Sequence, residues 1–147
     1  MKELEKMKPS NEIKIEMPAM SVNEGACRAV VAAFCAQLDP NIEEICDIKC
    51  SVSEAVTNCI VHAYGGRGGI LYITVGLYEG RWVRIEIRDR GCGIADVRTA
   101  MQPLYTTDRS GERSGMGFSV MESFMTHLAV TSTPGRGTRV VMWKHLL

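Results

Sequence analysis

Residues 83–88, Val-Arg-Ile-Glu-Ile-Arg, alternate strictly between apolar and charged side chains. This two-residue period is typical of a β-strand with one face in a hydrophobic core and the other face toward solvent. The preceding residues 70–78 are rich in β-branched and aromatic side chains, and the turn Glu79-Gly80 separates the two runs. The chain is therefore expected to build a sheet whose apolar face must be covered by other elements.

Three more strands are predicted. Apolar and polar side chains alternate along residues 11–17, and Pro18 ends that strand. Residues 128–133 and 138–143 are the last two predicted strands, and they flank a Pro-Gly-Arg-Gly turn at 134–137.

Helical periodicity accounts for much of the rest of the chain. Apolar residues recur every four positions along residues 21–38, which predicts a helix. A second helix is predicted over residues 41–63, where Asn41 followed by Glu44 resembles a capping box. Four glycines within residues 65–69 end it.

The remaining elements complete an α+β fold. A short helix is predicted near Asp96, a loop over residues 103–116 and a last helix over 118–128. We expect a two-layer sandwich with helices on one face of a mixed, mostly antiparallel sheet. The 147 residues suit one domain, predicted at 11–147, with residues 1–10 as a disordered extension.

Composition argues against several classes of function. Seventeen basic and 17 acidic residues cancel, so the chain lacks the field of a general nucleic-acid or membrane-surface binder. No apolar run approaches the ~20 residues of a membrane span, and the charged N-terminus does not resemble a signal peptide. The six cysteines form no Cys-x-x-Cys motif, so free thiols and a cytosolic location are expected.

A polar stripe on the second predicted helix is a candidate site. Glu54, Asn58 and His62 are four residues apart and therefore share one helix face. A solvated face is the simplest interpretation of such a stripe, but asparagine is a poor residue for a helix interior. An amide oxygen suits a Mg²⁺ ion that keeps most of its waters and takes other ligands from phosphate.

Two glycine motifs also carry potential chemistry. Asp89 stands at a strand end before Gly91 and Gly93, where an ionised carboxylate could accept a hydrogen bond from an adenine amino group. Gly115 and Gly117 come just before a predicted helix, whose free N–H groups attract phosphate. Each motif alone is weak evidence, because a strand turn or a helix start explains it equally well.

In this order, the motifs resemble the GHKL family of ATP-binding proteins. The family has an asparagine-bearing helix, D-x-G-x-G, G-x-G and a late G-x-G-T, which is residues 135–138 here. The resemblance covers residues 11–145 and implies the Bergerat-type ATP-binding fold. Residues 31–40, 103–107 and 112–118, with Ser-Glu-Ala-Val-Thr-Asn at 53–58, are most similar to the anti-sigma-factor serine kinases of spore-forming bacteria.

This resemblance implies a role for each site residue. Asn58 would hold Mg²⁺, Asp89 would bind the adenine of ATP or ADP, and Glu54 would orient or deprotonate a serine hydroxyl. The other residues implied at the nucleotide are Gly91, Gly93, Thr106, Thr107, Arg113, Gly115, Met116, Gly117, Phe118 and Thr138. Arg28 and Glu112 would contact a partner protein.

The implied function is inhibition of a sporulation sigma factor of the sigma-F type. The protein would also phosphorylate a serine of an anti-anti-sigma partner with Mg-ATP, and would act as a homodimer in the cytoplasm. Two alternatives stay open from the residues: the related kinase of the general stress sigma factor, and a sigma-binding module in which ATP is only structural.

Overall fold

The structure is a computed structural model that describes residues 1–102 and 117–147 of the chain. Its helices are α1 (Lys2–Lys6), α2 (Glu24–Cys35), α3 (Ile42–Asn58), α4 (Val97–Ala100) and α5 (Gly117–Phe124). Its strands are β1 (Asn11–Pro18), β2 (Ile70–Tyr78), β3 (Trp82–Arg88), β4 (His127–Thr133) and β5 (Gly137–His145). Single 3₁₀ turns lie at Ser21–Asn23 and Ala36–Leu38, and one π-helical turn follows α3 at Cys59–Ala63.

The five strands form one sheet in the order β1-β2-β3-β5-β4, and every neighbouring pair is antiparallel. The predicted two-layer α+β fold is thus confirmed, with no parallel pair within this sheet. At its centre, Ile85 of β3 lies between Val75 of β2 and Met142 of β5. All three side chains are buried.

The inner face of the sheet and three helices enclose the core. The alternation along β3 has the predicted effect, because Val83, Ile85 and Ile87 are fully buried while the charged residues between them are more exposed. α2 and α5 both pack against α3, whose Val52 and Val56 are also fully buried. The helix that carries the polar stripe is therefore held rigidly against the sheet.

The capping box predicted at the start of α3 is present and has a second role. The Asn41 side chain accepts a hydrogen bond from the Glu44 N–H at 2.8 Å, and Glu44 Oε1 accepts one from the Asn41 N–H at 2.9 Å. The other carboxylate oxygen of Glu44 accepts from the Leu147 N–H at 2.7 Å. Glu44 thus joins the start of α3 to the C-terminal end of the chain.

The N-terminal residues differ from the expectation of disorder. Residues Lys2–Lys6 form α1, and Leu4 and Met7 pack on the outer face of the sheet against a small cluster that contains Tyr78 and Trp143. The reason is that Trp143 points away from the main core and needs apolar cover of its own. Leu4 and Met7 provide this cover, but the sequence did not predict it because most residues of this segment are charged.

Two helix ends differ from the prediction. α5 ends at Phe124 and not near 128, because β4 begins at His127 to pair with β5. The predicted second helix divides into α3 and the π-helical turn at Cys59–Ala63.

The cysteines and the helix lengths agree with the sequence expectations. All six cysteines are free thiols, three of them buried. None of the helices in the described parts of the chain has the length and hydropathy to cross a bilayer.

Candidate functional site

Asp89 is a buried carboxyl group directly after β3. Its side chain is only 4% exposed, and its Oδ1 accepts hydrogen bonds from the N–H groups of Gly91 at 2.9 Å and Thr138 at 3.2 Å. The backbone bond from the Asp89 N–H to the Thr138 oxygen, at 2.9 Å, fixes the end of β3 against β5. The carboxyl group therefore has a defined orientation before any ligand is present.

The glycines around Asp89 are required by close backbone packing. A Cβ on Gly91 would lie 2.3 Å from the carbonyl oxygen of Ala63, and one on Gly137 would lie 2.2 Å from that of Asp89. Gly93 has a φ of +76°, and its Cβ would lie 2.4 Å from the Thr133 oxygen. The D-x-G-x-G motif at 89–93 and the late G-x-G-T motif at 135–138 thus bring three backbone segments together at one end of the sheet.

The π-helical turn joins the asparagine-bearing helix to this end of the sheet. It follows Asn58 directly, and the Tyr64 N–H donates to the Cys59 oxygen in the wider i to i+5 pattern. The carbonyl group of Ala63 thereby accepts a hydrogen bond from the Cys92 N–H at 2.9 Å. One end of α3 is fixed in this way against the Asp89 turn.

The start of α5 lies over the polar stripe of α3. A Cβ on Gly117 would lie 3.1 Å from Glu54 Oε2 and 3.4 Å from both side-chain polar atoms of Asn58. A side chain at this position would press on both groups, so glycine lets the start of α5 approach them closely. The carboxylate, the amide and this start of a helix thus share one small region.

The site fits one type of metal ion better than others. The described residues hold no cluster of three or more His, Cys, Asp or Glu that could bind a metal. An amide oxygen beside one carboxylate instead suits Mg²⁺, which retains waters and takes further ligands from phosphate.

Comparison with known proteins settles the family. The model of a family described as the histidine kinase-like ATPase domain matches residues 17–144. An anti-sigma F factor of Caldanaerobacter subterraneus subsp. tengcongensis is 53% identical over 140 residues, which cover 95% of this chain and 97% of that protein. The chain belongs to the anti-sigma F factors, within the histidine kinase-like ATPase domains.

Other relatives agree with this assignment. Anti-sigma F factors of Bacillus licheniformis and Clostridium acetobutylicum are 50% and 48% identical, over 92% and 91% of this chain and 93% of each of those proteins. Among solved structures, the RsbU and RsbW domains of a Mycobacterium tuberculosis protein match with a TM-score of 0.68 at 20% identity. That match covers 94% of this chain and 33% of the other, and supports the fold alone.

The electrostatics of the candidate site centre on Asp89. Burial raises the pKa of its carboxyl group, and hydrogen bonds from Gly91, Cys59 and Thr138 partly oppose that rise. Burial likewise raises the pKa of the Cys59 thiol, and the nearby Asp89 carboxylate adds to that rise. The thiol therefore stays protonated and remains a donor to the carboxylate.

Two positioning residues were missed by sequence reasoning. The Tyr64 hydroxyl accepts from the Arg90 N–H at 2.8 Å and donates to the Ile70 oxygen at 2.7 Å. The Ser132 hydroxyl accepts from the Ile94 N–H at 2.7 Å and lies 2.8 Å from the Thr138 hydroxyl. No local motif marks either residue, because the Arg90 and Ile94 N–H groups that donate to them are 26 and 38 residues away in sequence.

The structure separates the other predicted site residues into three groups. Phe118 is half-buried against the main core. Arg28 is exposed on α2 and donates to Glu24 at 3.3 Å and to Ser53, the sequence neighbour of Glu54, at 3.2 Å. The remaining predictions lie outside the described residues, namely Thr106, Thr107, Glu112, Arg113, Gly115 and Met116.

Proposed function

We propose that this chain is an ATP-dependent serine kinase that holds a sigma factor of the sigma-F type and phosphorylates a serine of an anti-anti-sigma protein. The observation that carries the proposal is the placement of Gly117 over Glu54 and Asn58, with the buried Asp89 carboxyl group against Cys59, the residue that follows Asn58. A nucleotide between α3, the Asp89 turn and the start of α5 would meet a different chemistry at each end.

Asp89 would recognise the adenine base. A carboxylate only accepts hydrogen bonds, so it favours the amino group of adenine over the carbonyl group of guanine. Gly91 and Gly93 leave the backbone free of side chains beside it, and Thr138 supports the carboxylate from β5. Because the carboxyl group is already oriented, little ordering is required when the base binds.

Asn58 would hold the metal and the start of α5 would face the phosphates. Mg²⁺, when bound, supplies positive charge to the phosphate oxygens, and the amide oxygen of Asn58 suits it as a ligand. The free N–H groups at the start of α5 favour negative charge. Gly115, Met116, Thr106, Thr107 and Arg113 are proposed to complete this phosphate site.

Glu54 would act on the substrate serine. The serine oxygen attacks the γ-phosphorus, the bond from that phosphorus to the β–γ bridging oxygen breaks, and ADP leaves. The carboxylate of Glu54 orients the serine hydroxyl and takes its proton, as the catalytic aspartate does in other protein kinases. Its position one helical turn before Asn58 places the base and the metal ligand on the same face.

The exposed end of α2 is the proposed partner surface. Arg28 is held by Glu24 and Ser53, while Met20 and Val22, at the 3₁₀ turn just before this helix, are 52% and 78% exposed. A guanidinium next to exposed apolar side chains is a combination found in protein interfaces. Glu112 is a second proposed contact, and a homodimer is the proposed assembly.

Use of cytosolic ATP and sigma factor implies a cytoplasmic location.

The test combines transfer and binding. The purified protein, labelled ATP and the cognate anti-anti-sigma protein should give phosphoserine, and Glu54→Gln should reduce the rate at least a hundredfold while ATP still binds. If Glu54→Gln leaves partner regulation unaltered, ATP is structural and the kinase proposal is wrong. A general stress sigma factor that co-purifies in place of sigma-F would overturn the choice of pathway.

A further inference from the structure

A cavity of about 350 Å³ lies at the end of β3, β5 and β4, on the face of the sheet away from the helices. Arg88 is paired with Arg139 on the next strand, and Arg139 with Thr131 beyond it. Their neighbours Ile87 and Val140 are buried in the main core. Because successive side chains of a strand face opposite ways, these three side chains project from the outer face.

Two further arginines also line the cavity. Arg90 follows β3 and Arg136 lies in the turn between β4 and β5. Arg139 pairs with the carboxylate of Glu86. Over residues 1–102 and 117–147, no carboxylate pairs with the other three guanidinium groups. Since the whole chain is neutral, this arginine cavity is a local excess of positive charge.

Tyr72 holds two of the arginines in place. The guanidinium carbons of Arg88 and Arg90 lie 5.0 and 4.8 Å from the centre of its ring. Such contacts stabilise a cation over the aromatic face and leave the N–H edges of the guanidinium free to donate. Two long side chains that are already ordered lose less entropy when a ligand binds.

The arginine cavity is distinct from the proposed nucleotide site. Asp89 and Thr138 belong to the wall between them, but the buried Asp89 carboxyl group interacts with Cys59 at the end of α3, on the helical side. The cavity opens on the opposite side of the sheet. Occupation of the nucleotide site therefore leaves it accessible.

We propose that the arginine cavity binds a carboxylate-rich segment of a protein partner. Arginine donates in a planar fork that matches carboxylate geometry. Four arginines spread over two strands and two loops suit several carboxylates better than one small ion. A nucleic acid would need a longer basic track, whereas Glu12 and Glu16 lie exposed on β1 of the same sheet.

The proposal is tested by calorimetry with a capped hexaglutamate peptide as the probe, in saturating Mg-ADP. We expect binding that weakens as salt rises, and no binding of a hexaglutamine peptide. Arg90→Gln and Arg136→Gln should each weaken binding about threefold to tenfold. Lys49→Gln, which removes a charge from the exposed side of α3, should leave it unchanged.

Tyr72 gives an independent control, because it would act only by positioning the arginines. Tyr72→Phe should retain binding of the peptide and Tyr72→Ala should weaken it, while both variants still bind Mg-ADP. Equal losses in the Lys49→Gln variant would show non-specific attraction and overturn the proposal. Binding of pyrophosphate but not of hexaglutamate would also overturn it. Uptake of Mg-ADP reports on the nucleotide site separately.

Discussion

Asp89 is a carboxyl group placed where burial disfavours its charge. Its folded-state pKa is raised, so the group favours folding below its ordinary pKa, and that contribution is lost as the pH rises through the folded value. At neutral pH the ionised carboxylate therefore costs stability. This cost is consistent with a residue kept for ligand recognition and not for folding.

The Asp89→Asn variant separates those two roles. The amide keeps Oδ1, which accepts both N–H bonds from Gly91 and Thr138, and it removes the buried charge. We expect the free energy of unfolding in urea to be equal to or higher than that of the wild type. ATP binding should weaken at least tenfold, since an amide NH₂ would face the adenine amino group.

Asp39→Asn is the matched control for that variant. Asp39 is exposed and has a φ of 52°, a conformation that asparagine tolerates. Its ATP binding, measured by calorimetry, should equal that of the wild type. Wild-type ATP affinity in Asp89→Asn itself would refute the proposed adenine contact.

Gly137 offers a second test at the scale of one residue. Gly137→Ala would place a Cβ 2.2 Å from the Asp89 oxygen at a φ of +127°, so a loss of about 2–4 kcal/mol in the free energy of unfolding is expected. Gly135→Ala, at a φ of +76° with nothing within 4 Å of its Cβ, should lose only about 1 kcal/mol. Urea denaturation that ranks the two variants in the reverse order would contradict this packing.

The elements differ in how far local sequence specifies them. The capping box at Asn41 and the alternation of β3 are local patterns, so both were predicted correctly. The π-helical turn at Cys59–Ala63 was not predicted, because it is fixed by the contact between Ala63 and Cys92, which are distant in sequence. The last predicted helix was too long for the same reason, since the pairing of β4 with β5 decides where it ends.

Glu44 gives a pH prediction for α3. Its pKa lies below the ordinary value of 4.5, because burial is outweighed by hydrogen bonds from the Asn41 and Leu147 N–H groups and by nearby Arg81 and Lys144. A lowered pKa stabilises the fold above pH 4.5, and that contribution is lost as the pH falls through the folded value. In Glu44→Gln only one side-chain oxygen remains to accept from the Asn41 and Leu147 N–H groups. We therefore expect the free energy of unfolding to fall by about 1–3 kcal/mol at pH 7.

The difference between wild type and Glu44→Gln should shrink as urea denaturation is repeated from pH 7 toward pH 3. Glu43→Gln is the matched control, because Glu43 is exposed in the same helical turn. Its stability should differ little from that of the wild type at any of these pH values. A Glu44→Gln difference that stays constant down to pH 3 would contradict the role given to the ionised carboxylate.

At the scale of the whole molecule, helices cover the inner face of the sheet and α1 covers part of the outer face. The inner face packs on the helices, and the outer face carries the cluster around Trp143 that α1 covers. The order of the motifs led correctly to the family and the fold. Sequence could not show the arginine cavity, because Arg88, Arg90, Arg136 and Arg139 meet only through strand pairing.

The cover provided by α1 can be tested by tryptophan fluorescence. Replacing Leu4 and Met7 by alanine should expose Trp143, move the emission to longer wavelength and lower the free energy of unfolding by about 1–2 kcal/mol. ATP binding should not change. The control replaces the exposed Glu3 and Glu5 of the same helix and should leave the emission unaltered. An unshifted emission in the first variant would contradict the packing of α1.

We propose, above all, that α3 and the Asp89 turn bind the two ends of one adenine nucleotide. Titration calorimetry of the wild-type protein with ATP, in the presence and absence of Mg²⁺ and against GTP, tests it most directly. We expect ATP binding that requires Mg²⁺ for full affinity and exceeds GTP binding at least tenfold. Absence of binding with Mg-ATP, or equal affinity for ATP and GTP, would contradict it.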